Sequence, residues 1–216
     1  MRRQGTTNPR ATSVLIAGGG VAGRVAAMAL KRAGFNVTVY EARAATTSTI
    51  RDGIRIEHGK RLVDARESPD GGVVVCFDDG SAALGDCLIG ADGADSYVRG
   101  IIIPATPQPR CVGQRPPAEL CWSRGPMVVI GDAARGVPPS AGQGASMAIE
   151  DAVAVATCLQ DIPDVALAFA AFEALRHPRL SEATAYGARD SKAKSAVMAI
   201  ARIFRDLIMP WRAALS

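Results

Sequence analysis

Three glycines that follow a short apolar run constrain this chain more than any other feature of its sequence. The run, Ser13–Ala17, has the length and composition of a buried parallel strand, and the glycines after it indicate a tight turn. Val21–Ala33 is rich in Ala and Leu and predicts a helix that ends at Gly34. Asn36–Glu41 predicts a second strand. Residues 12–41 therefore have the order and length of a βαβ unit.

The spacing of the glycines, Gly18-x-Gly20-x-x-Gly23, is that of a dinucleotide-binding turn, and it stands between the predicted strand and the predicted helix. The first glycine of such a turn permits the bend, the second lets the backbone approach a pyrophosphate, and the third lets helix and strand pack closely. The pyrophosphate then lies on the N–H groups at the start of the helix. The residues predicted to hold it are Gly18, Gly20, Val21, Ala22 and Gly23.

An acidic residue closes the second predicted strand. Glu41, 23 residues after Gly18, stands where a carboxylate accepts hydrogen bonds from the ribose of an adenosine. Arg43 is as well suited to reach the adenosine or a coenzyme phosphate as to be a surface charge. These residues predict a dinucleotide site and leave both NAD and FAD open as its ligand.

The remaining strand patterns predict an α/β fold with a Rossmann-like parallel sheet and a small antiparallel element. We expect Gly53–His58, which alternates in polarity, and the apolar run Val73–Phe77 to form the antiparallel element. Cys87–Ala91 and Met127–Gly131 are short apolar runs, each followed by an acidic residue, and predict further buried parallel strands.

Helical spacing of apolar residues predicts helices over 145–160 and 163–176, and an amphipathic stretch over about 191–215 with a break at Pro210. We expect the last stretch to pack on the core. The predicted organisation is a flexible tail over 1–11, a dinucleotide-binding domain over 12–180, which the resemblance given below makes an FAD-binding domain, and a C-terminal helical segment over 181–216.

Composition and charge exclude several classes of protein. The net charge of +4 is spread along the chain without a basic cluster or interleaved aromatics, so nucleic-acid binding is not expected. The five cysteines include no CxxC pair, and His58 and His177 are the only histidines, so neither a metal site nor a disulfide scaffold is expected. We expect both histidines to be structural. No signal-length or membrane-spanning apolar stretch occurs, which predicts a soluble cytoplasmic protein.

Two later segments resemble known motifs almost position by position. Gly90–Arg99 (GADGADSYVR) and Val129–Asp151 (VIGDAARGVPPSAGQGASMAIED) are similar to the second and third motifs of the flavoprotein aromatic hydroxylases, the para-hydroxybenzoate hydroxylase family. Together with the glycine turn they give three motifs in the order of that family. The resemblance covers residues 12–45, about 53–113, and 114 to the C-terminal helices.

The resemblance implies FAD as the cofactor and assigns further residues to its site. It implies that Asp132 binds the ribityl hydroxyls, and that Asp92 and Gly93 serve both FAD and the nicotinamide coenzyme, although Asp92 also suits a carboxylate that caps a helix. The residues that it places beside the flavin ring are Pro139, Gly142, Gln143, Gly144, Ala145 and Ser146.

The chain departs from the family pattern at three positions near these motifs. Arg135 stands where many relatives have histidine, Ser146 where many have asparagine, and Arg24 where an apolar residue is common. None of these changes removes a group on which flavin binding depends.

The family's chemistry implies an FAD-dependent monooxygenase. NADH or NADPH reduces the flavin, oxygen adds to it, and the flavin hydroperoxide hydroxylates an aromatic or polyketide-like small molecule. Since the cofactor performs this chemistry, the sequence identifies no catalytic acid or base. The alternatives are another FAD-dependent oxidoreductase of the same superfamily, such as a reductase or halogenase, and a non-catalytic FAD-binding remnant. Substrate identity, coenzyme choice and oligomeric state are left open.

The interval in which the family carries its substrate domain is short. Only 26 residues, Gly100–Gly125, separate the second and third motifs. A sequence typical of the entry into that domain, ending at Gly113, adjoins one typical of its exit, beginning at Gln114. A similar junction lies at about 46–52. We therefore expect segments of the family's pattern to be missing at both places.

Overall fold

The computed structural model describes residues 12–44, 53–103, 121–134 and 144–178. The elements, in chain order, are β1 (Ser13–Ala17), α1 (Val21–Arg32), β2 (Asn36–Glu41), β3 (Arg55–His58), β4 (Leu62–Glu67), β5 (Val73–Phe77), β6 (Ala82–Gly85), β7 (Cys87–Gly90), α2 (Tyr97–Ile102), β8 (Ser123–Arg124), β9 (Met127–Val129) and α3 (Gly144–Asp161). A last helix, α4, covers residues 165–178.

The larger sheet has six strands in the order β3-β2-β1-β7-β9-β8, all parallel except for the β8–β9 pair. Its central strands β1, β7 and β9 are almost wholly buried, as expected of continuous apolar runs in a parallel sheet. The predicted βαβ unit is confirmed by the parallel pairing of β1 with β2. The α/β fold class predicted from the sequence is therefore confirmed.

The smaller sheet is antiparallel, in the order β4-β5-β6. The prediction that residues 53–58 belong to it is wrong, because β3 pairs in parallel with β2 at the edge of the larger sheet. Alternating polarity fits any strand with one exposed face, so the pattern did not distinguish the two positions. Of the strands that do flank β5, β4 has a register shift between Leu62 and Asp64, and β6 alternates exposed and partly buried residues.

The helices agree with their predicted positions to within about two residues. Gly34, with φ of +92°, ends α1 in the left-handed region that the sequence pattern requires of it. Helices α1 and α3 pack against each other. The predicted stretch over 191–215 lies outside the described residues. None of the helices in the described ranges has the length and apolarity needed to span a membrane.

Aromatic contacts join the outer elements to the sheets. The rings of Tyr40 on β2 and Phe77 on β5 have centroids 4.5 Å apart, which links the two sheets. Trp122, which precedes β8, is buried against Phe172 of α4 and stacks on His177 at 4.5 Å. These contacts hold α4 over the end of the larger sheet.

Candidate dinucleotide site

The three motifs meet at the carboxyl edge of the larger sheet. They follow β1, β7 and β9, which are adjacent strands. Hydrogen bonds join their ends, from Ala91 N–H to the Ala17 carbonyl at 2.7 Å and from Ile130 N–H to the Gly90 carbonyl at 2.9 Å. In open parallel sheets this edge is where ligands bind.

The glycines of the first motif have three different environments. Gly18 has φ of +106°, and a Cβ there would lie 2.3 Å from the carbonyl oxygen of Ala91 in the second motif. A Cβ on Gly23 would lie 1.9 Å from the Gly18 oxygen. At Gly20 no described atom lies within 4 Å of the Cβ position. Two glycines thus allow close packing, and the middle one leaves open space, which is the division of roles that a dinucleotide turn requires.

The first turn of α1 is suited to an anion. Among the described residues no side chain caps it, and the turn contains no acidic residue. The N–H of Arg24 is bonded to the Gly20 carbonyl at 3.0 Å, so the preceding N–H groups, of Val21, Ala22 and Gly23, point out from the helix end. With the open space at Gly20, this end of the helix fits the pyrophosphate of a dinucleotide.

Glu41 lies beside the glycine turn. One carboxylate oxygen accepts a hydrogen bond from the N–H of Gly19 at 2.7 Å, and the other accepts one from the N–H of Arg43 at 2.8 Å. The side chain of Arg43 is exposed. Because a carboxylate oxygen accepts more than one hydrogen bond, Glu41 retains acceptor capacity toward a ribose while it holds the turn.

The second motif places Asp92 at the N-terminus of α2. Its carboxylate accepts hydrogen bonds from the hydroxyl of Ser96 at 2.5 Å and from the N–H groups of Tyr97 at 2.8 Å and Val98 at 3.2 Å. Helix capping, one of the two roles that the sequence allows for Asp92, is thus present in the structure. Gly93 follows with φ of +85°.

Arg99 ties the second motif to the third. Its guanidinium is buried and donates to the carbonyls of Ala133 at 2.7 Å and Ala94 at 2.6 Å. Burial lowers the pKa of Arg99 from its ordinary value. Sequence analysis included Arg99 in the motif but gave it no role, because the carbonyls that it binds lie up to 34 positions away.

The third motif begins with a short 3-10 turn, Gly131–Ala133, that exposes Asp132. Gly131 has φ of +61°, and a Cβ there would lie 3.1 Å from Ala22 of α1 and 3.4 Å from Ala148 of α3. A carboxylate oxygen of Asp132 lies 3.7 Å from the Cβ position of Gly144, the first residue of α3. The turn therefore brings Asp132 next to the start of α3 and Gly131 next to the start of α1.

The remaining predicted site residues divide by position. Gly144, Ala145 and Ser146 form the first turn of α3, with Ala145 and Ser146 exposed. Pro139, Gly142 and Gln143 lie outside the described residues.

A buried ion pair supports the third motif, and sequence analysis missed it. Asp151 of α3 is fully buried, accepts the N–H of Gly131 at 2.9 Å, and pairs with Arg176 of α4 at 2.7 Å. The available signal was an acidic residue between Ala148 and Ala152, on the apolar face of a helix.

Comparisons with known proteins agree with the first and third motifs. Residues 16–70 match the family described as NAD(P)-binding Rossmann-like domain, and residues 119–163 match the family described as FAD binding domain. A 6-hydroxynicotinate 3-monooxygenase of Pseudomonas fluorescens is 45% identical over 71 residues, which are 32% of this chain and 18% of that protein. An FAD-dependent urate hydroxylase of Klebsiella pneumoniae is 47% identical over 58 residues, 27% of this chain and 15% of that protein.

Solved structures share the fold. Klebsiella pneumoniae HpxO complexed with FAD and uric acid has a TM-score of 0.66 at 19% identity, covering 79% of this chain and 85% of that chain. CtdE in complex with FAD has a TM-score of 0.72 at 17% identity, covering 85% and 94%. The chain spans only about a fifth or less of the length of the curated relatives that it matches.

Proposed function

Since the family matches and the named relatives support the FAD-dependent aromatic hydroxylases, we propose that this chain binds FAD and forms the FAD-binding part of an NAD(P)H-dependent monooxygenase. The substrate is an aromatic or polyketide-like small molecule. The observation that carries the proposal is the meeting of the three motifs at one sheet edge, with Gly18 against Ala91 and Gly131 against Ala22.

The first motif holds the adenosine diphosphate half of FAD. The pyrophosphate lies over Gly20, where there is open space, and on the N–H groups at the start of α1. The positive end of the helix dipole stabilises its charge. Glu41 accepts hydrogen bonds from the adenosine ribose, and Arg43, exposed beside it, lies near the same group.

The third motif holds the flavin half. Asp132 accepts hydrogen bonds from the ribityl hydroxyls, a role that its exposed carboxylate beside the start of α3 supports. The first turn of α3, Gly144–Ser146, would contact the pyrimidine edge of the flavin, and the resemblance assigns Pro139, Gly142 and Gln143 to the same ring. Asp92 and Gly93 act by fixing the turn before α2.

FAD, when bound, supplies the transfer of electrons from the coenzyme to oxygen. The chain contributes the position of the cofactor, hydrogen bonds to its polar groups, and the helix dipoles at its two ends. The named substrates of the relatives, 6-hydroxynicotinate and urate, support a small ring compound as the substrate class.

The proposal is tested by titrating the purified full chain with FAD and following its absorption and fluorescence. Glu41→Gln should raise the Kd for FAD about tenfold, since it replaces one charged acceptor of the ribose by a donor. Glu57→Gln is the matched control. Glu57 lies on the neighbouring strand β3, and among the described residues its ion pair is with the largely exposed Arg55. Equal Kd values for the two variants would argue against the assigned role of Glu41.

Activity is tested separately by NAD(P)H oxidation and oxygen consumption in the presence of candidate phenols and ring heterocycles. Faster oxidation with one of them supports the monooxygenase. FAD binding without any coenzyme oxidation supports a non-catalytic FAD-binding protein instead, and absence of FAD binding overturns the whole proposal.

A further inference from the structure

The peptide that leads into Asp132 is held by a charged side chain from another element. Strand β9 ends at Val129, and the N–H of the next residue, Ile130, donates to the Gly90 carbonyl. The next N–H, of Gly131, has no strand neighbour in line with it and instead donates to a carboxylate oxygen of Asp151 at 2.9 Å. This bond is buried, and the two residues that it joins are 20 positions apart in sequence.

Asp151 is itself fixed from both sides. It is fully buried, and its other oxygen accepts a hydrogen bond from Nε of Arg176 at 2.7 Å. Arg176 also forms an ion pair with the partly exposed Glu150 at 2.9 Å. A buried carboxylate is costly unless it is paired and hydrogen-bonded, so the bonds from Arg176 and from the Gly131 N–H stabilise Asp151 in this position.

The orientation of Gly131 is constrained on its other face as well. It has the left-handed conformation, with φ of +61°, and a Cβ there would lie 3.1 Å from Ala22 of α1 and 3.4 Å from Ala148 of α3. The Asp151 bond determines the direction of its N–H, and the conformation of Gly131 determines where the next residue, Asp132, projects. The bond thus sets the position of the residue to which the ribityl chain is assigned.

We propose that Asp151, held by Arg176, is a positioning residue for the flavin half of the cofactor, acting through the Gly131 N–H on Asp132. This inference rests on the proposed FAD function. By this inference the Asp151–Arg176 pair contributes to FAD affinity separately from its contribution to the stability of the fold.

Two double variants separate these parts. Asp151→Asn with Arg176→Met removes both charges and keeps an oxygen that accepts the Gly131 N–H. Asp151→Leu with Arg176→Met removes the charges and the acceptor. Replacement of a buried ion pair by uncharged side chains of similar size is often close to neutral for stability. The Leu-containing protein should fold but melt at a lower temperature than the Asn-containing one, because its Gly131 N–H is left without the Asp151 acceptor. Glu150→Gln is the control that removes only the partly exposed arm of the network.

The measured quantities are the Kd values for FAD and for ADP, with the full chain. ADP contains the half of the cofactor assigned to the first motif and lacks the ribityl chain. We expect the Leu-containing variant to bind FAD at least tenfold more weakly than the Asn-containing variant, with the same Kd for ADP. Glu150→Gln should match the wild type for both ligands. Equal FAD affinities of the two double variants, or equal losses for FAD and ADP, would overturn the inference.

Hydrogen exchange of the wild-type chain provides a measurement that needs no variant to fold. The Gly131 amide should be strongly protected without FAD, and exchange at an unprotected rate would contradict the inference. If the wild type binds no FAD at all, the proposed function fails together with this inference. If the wild type binds FAD and the variants do not differ, only the inference fails.

Discussion

The two ends of the candidate site are held in place by different means. The glycine turn after β1 is fixed mainly by close contacts of its glycines, because Gly18 packs on the Ala91 carbonyl and Gly23 packs on Gly18, while Glu41 of the same βαβ unit accepts the Gly19 N–H. The turn after β9 is fixed by charged side chains from distant helices, with Asp151 on the Gly131 N–H and Arg99 on the Ala133 carbonyl. The first end should therefore be sensitive to an added methyl group, and the second to a lost charge.

The largest effect is expected at the first end, from Gly18→Ala. The new methyl group would lie 2.3 Å from the Ala91 oxygen on a residue with φ of +106°. Backbone strain and overpacking together should lower the free energy of unfolding by about 3 kcal/mol or more. Chemical denaturation followed by circular dichroism measures the change.

Gly20→Ala is the matched control for that prediction. No described atom lies within 4 Å of its Cβ position, so the free energy of unfolding should fall by no more than about 1 kcal/mol. The Kd for FAD should nevertheless rise about tenfold, because the methyl group occupies the space assigned to the pyrophosphate. A Gly20→Ala protein as unstable as Gly18→Ala would show that open space does not distinguish the two glycines.

A smaller effect is expected at the second end, from Arg99→Met. The substitution keeps the bulk of the side chain and leaves the buried carbonyl of Ala133 and the partly buried carbonyl of Ala94 without this donor. The free energy of unfolding should fall by about 2–3 kcal/mol. Arg124→Met is the control, since Arg124 is exposed and its contact with the Ile101 carbonyl is long, at 3.4 Å. If both arginine variants unfold alike, the bonds of Arg99 do not hold the two motifs together.

The same contrast explains how much the sequence could predict. The contact of Gly23 with Gly18 falls within one βαβ unit, so the spacing of Gly18, Gly20 and Gly23 was enough to predict the turn, whereas the packing of Gly18 on Ala91 joins it to the second motif. The strand partner of residues 53–58 could not be predicted, because their alternating pattern fits a parallel edge as well as a hairpin. The supports of the second end depend on contacts between α3, α4 and β9 that no local pattern encodes.

The smallest effect is expected at Cys87, which lies on β7, the strand between the two ends of the site. Burial raises the pKa of its thiol to about 12, with the charge of Asp86 adding to the shift. At pH 8 the thiolate fraction is then on the order of 10⁻⁴, so Cys87 should react with iodoacetamide about a thousandfold more slowly than the exposed Cys121. Since the folded state favours the neutral thiol, its contribution to stability is complete below about pH 8.5 and is lost as the pH rises toward 12.

Gly18→Ala should speed the labelling of Cys87, measured by peptide mass spectrometry, more than Arg99→Met does, because the glycine turn contacts the end of β7 directly. Equal acceleration by both variants would mean that the two ends open as one unit.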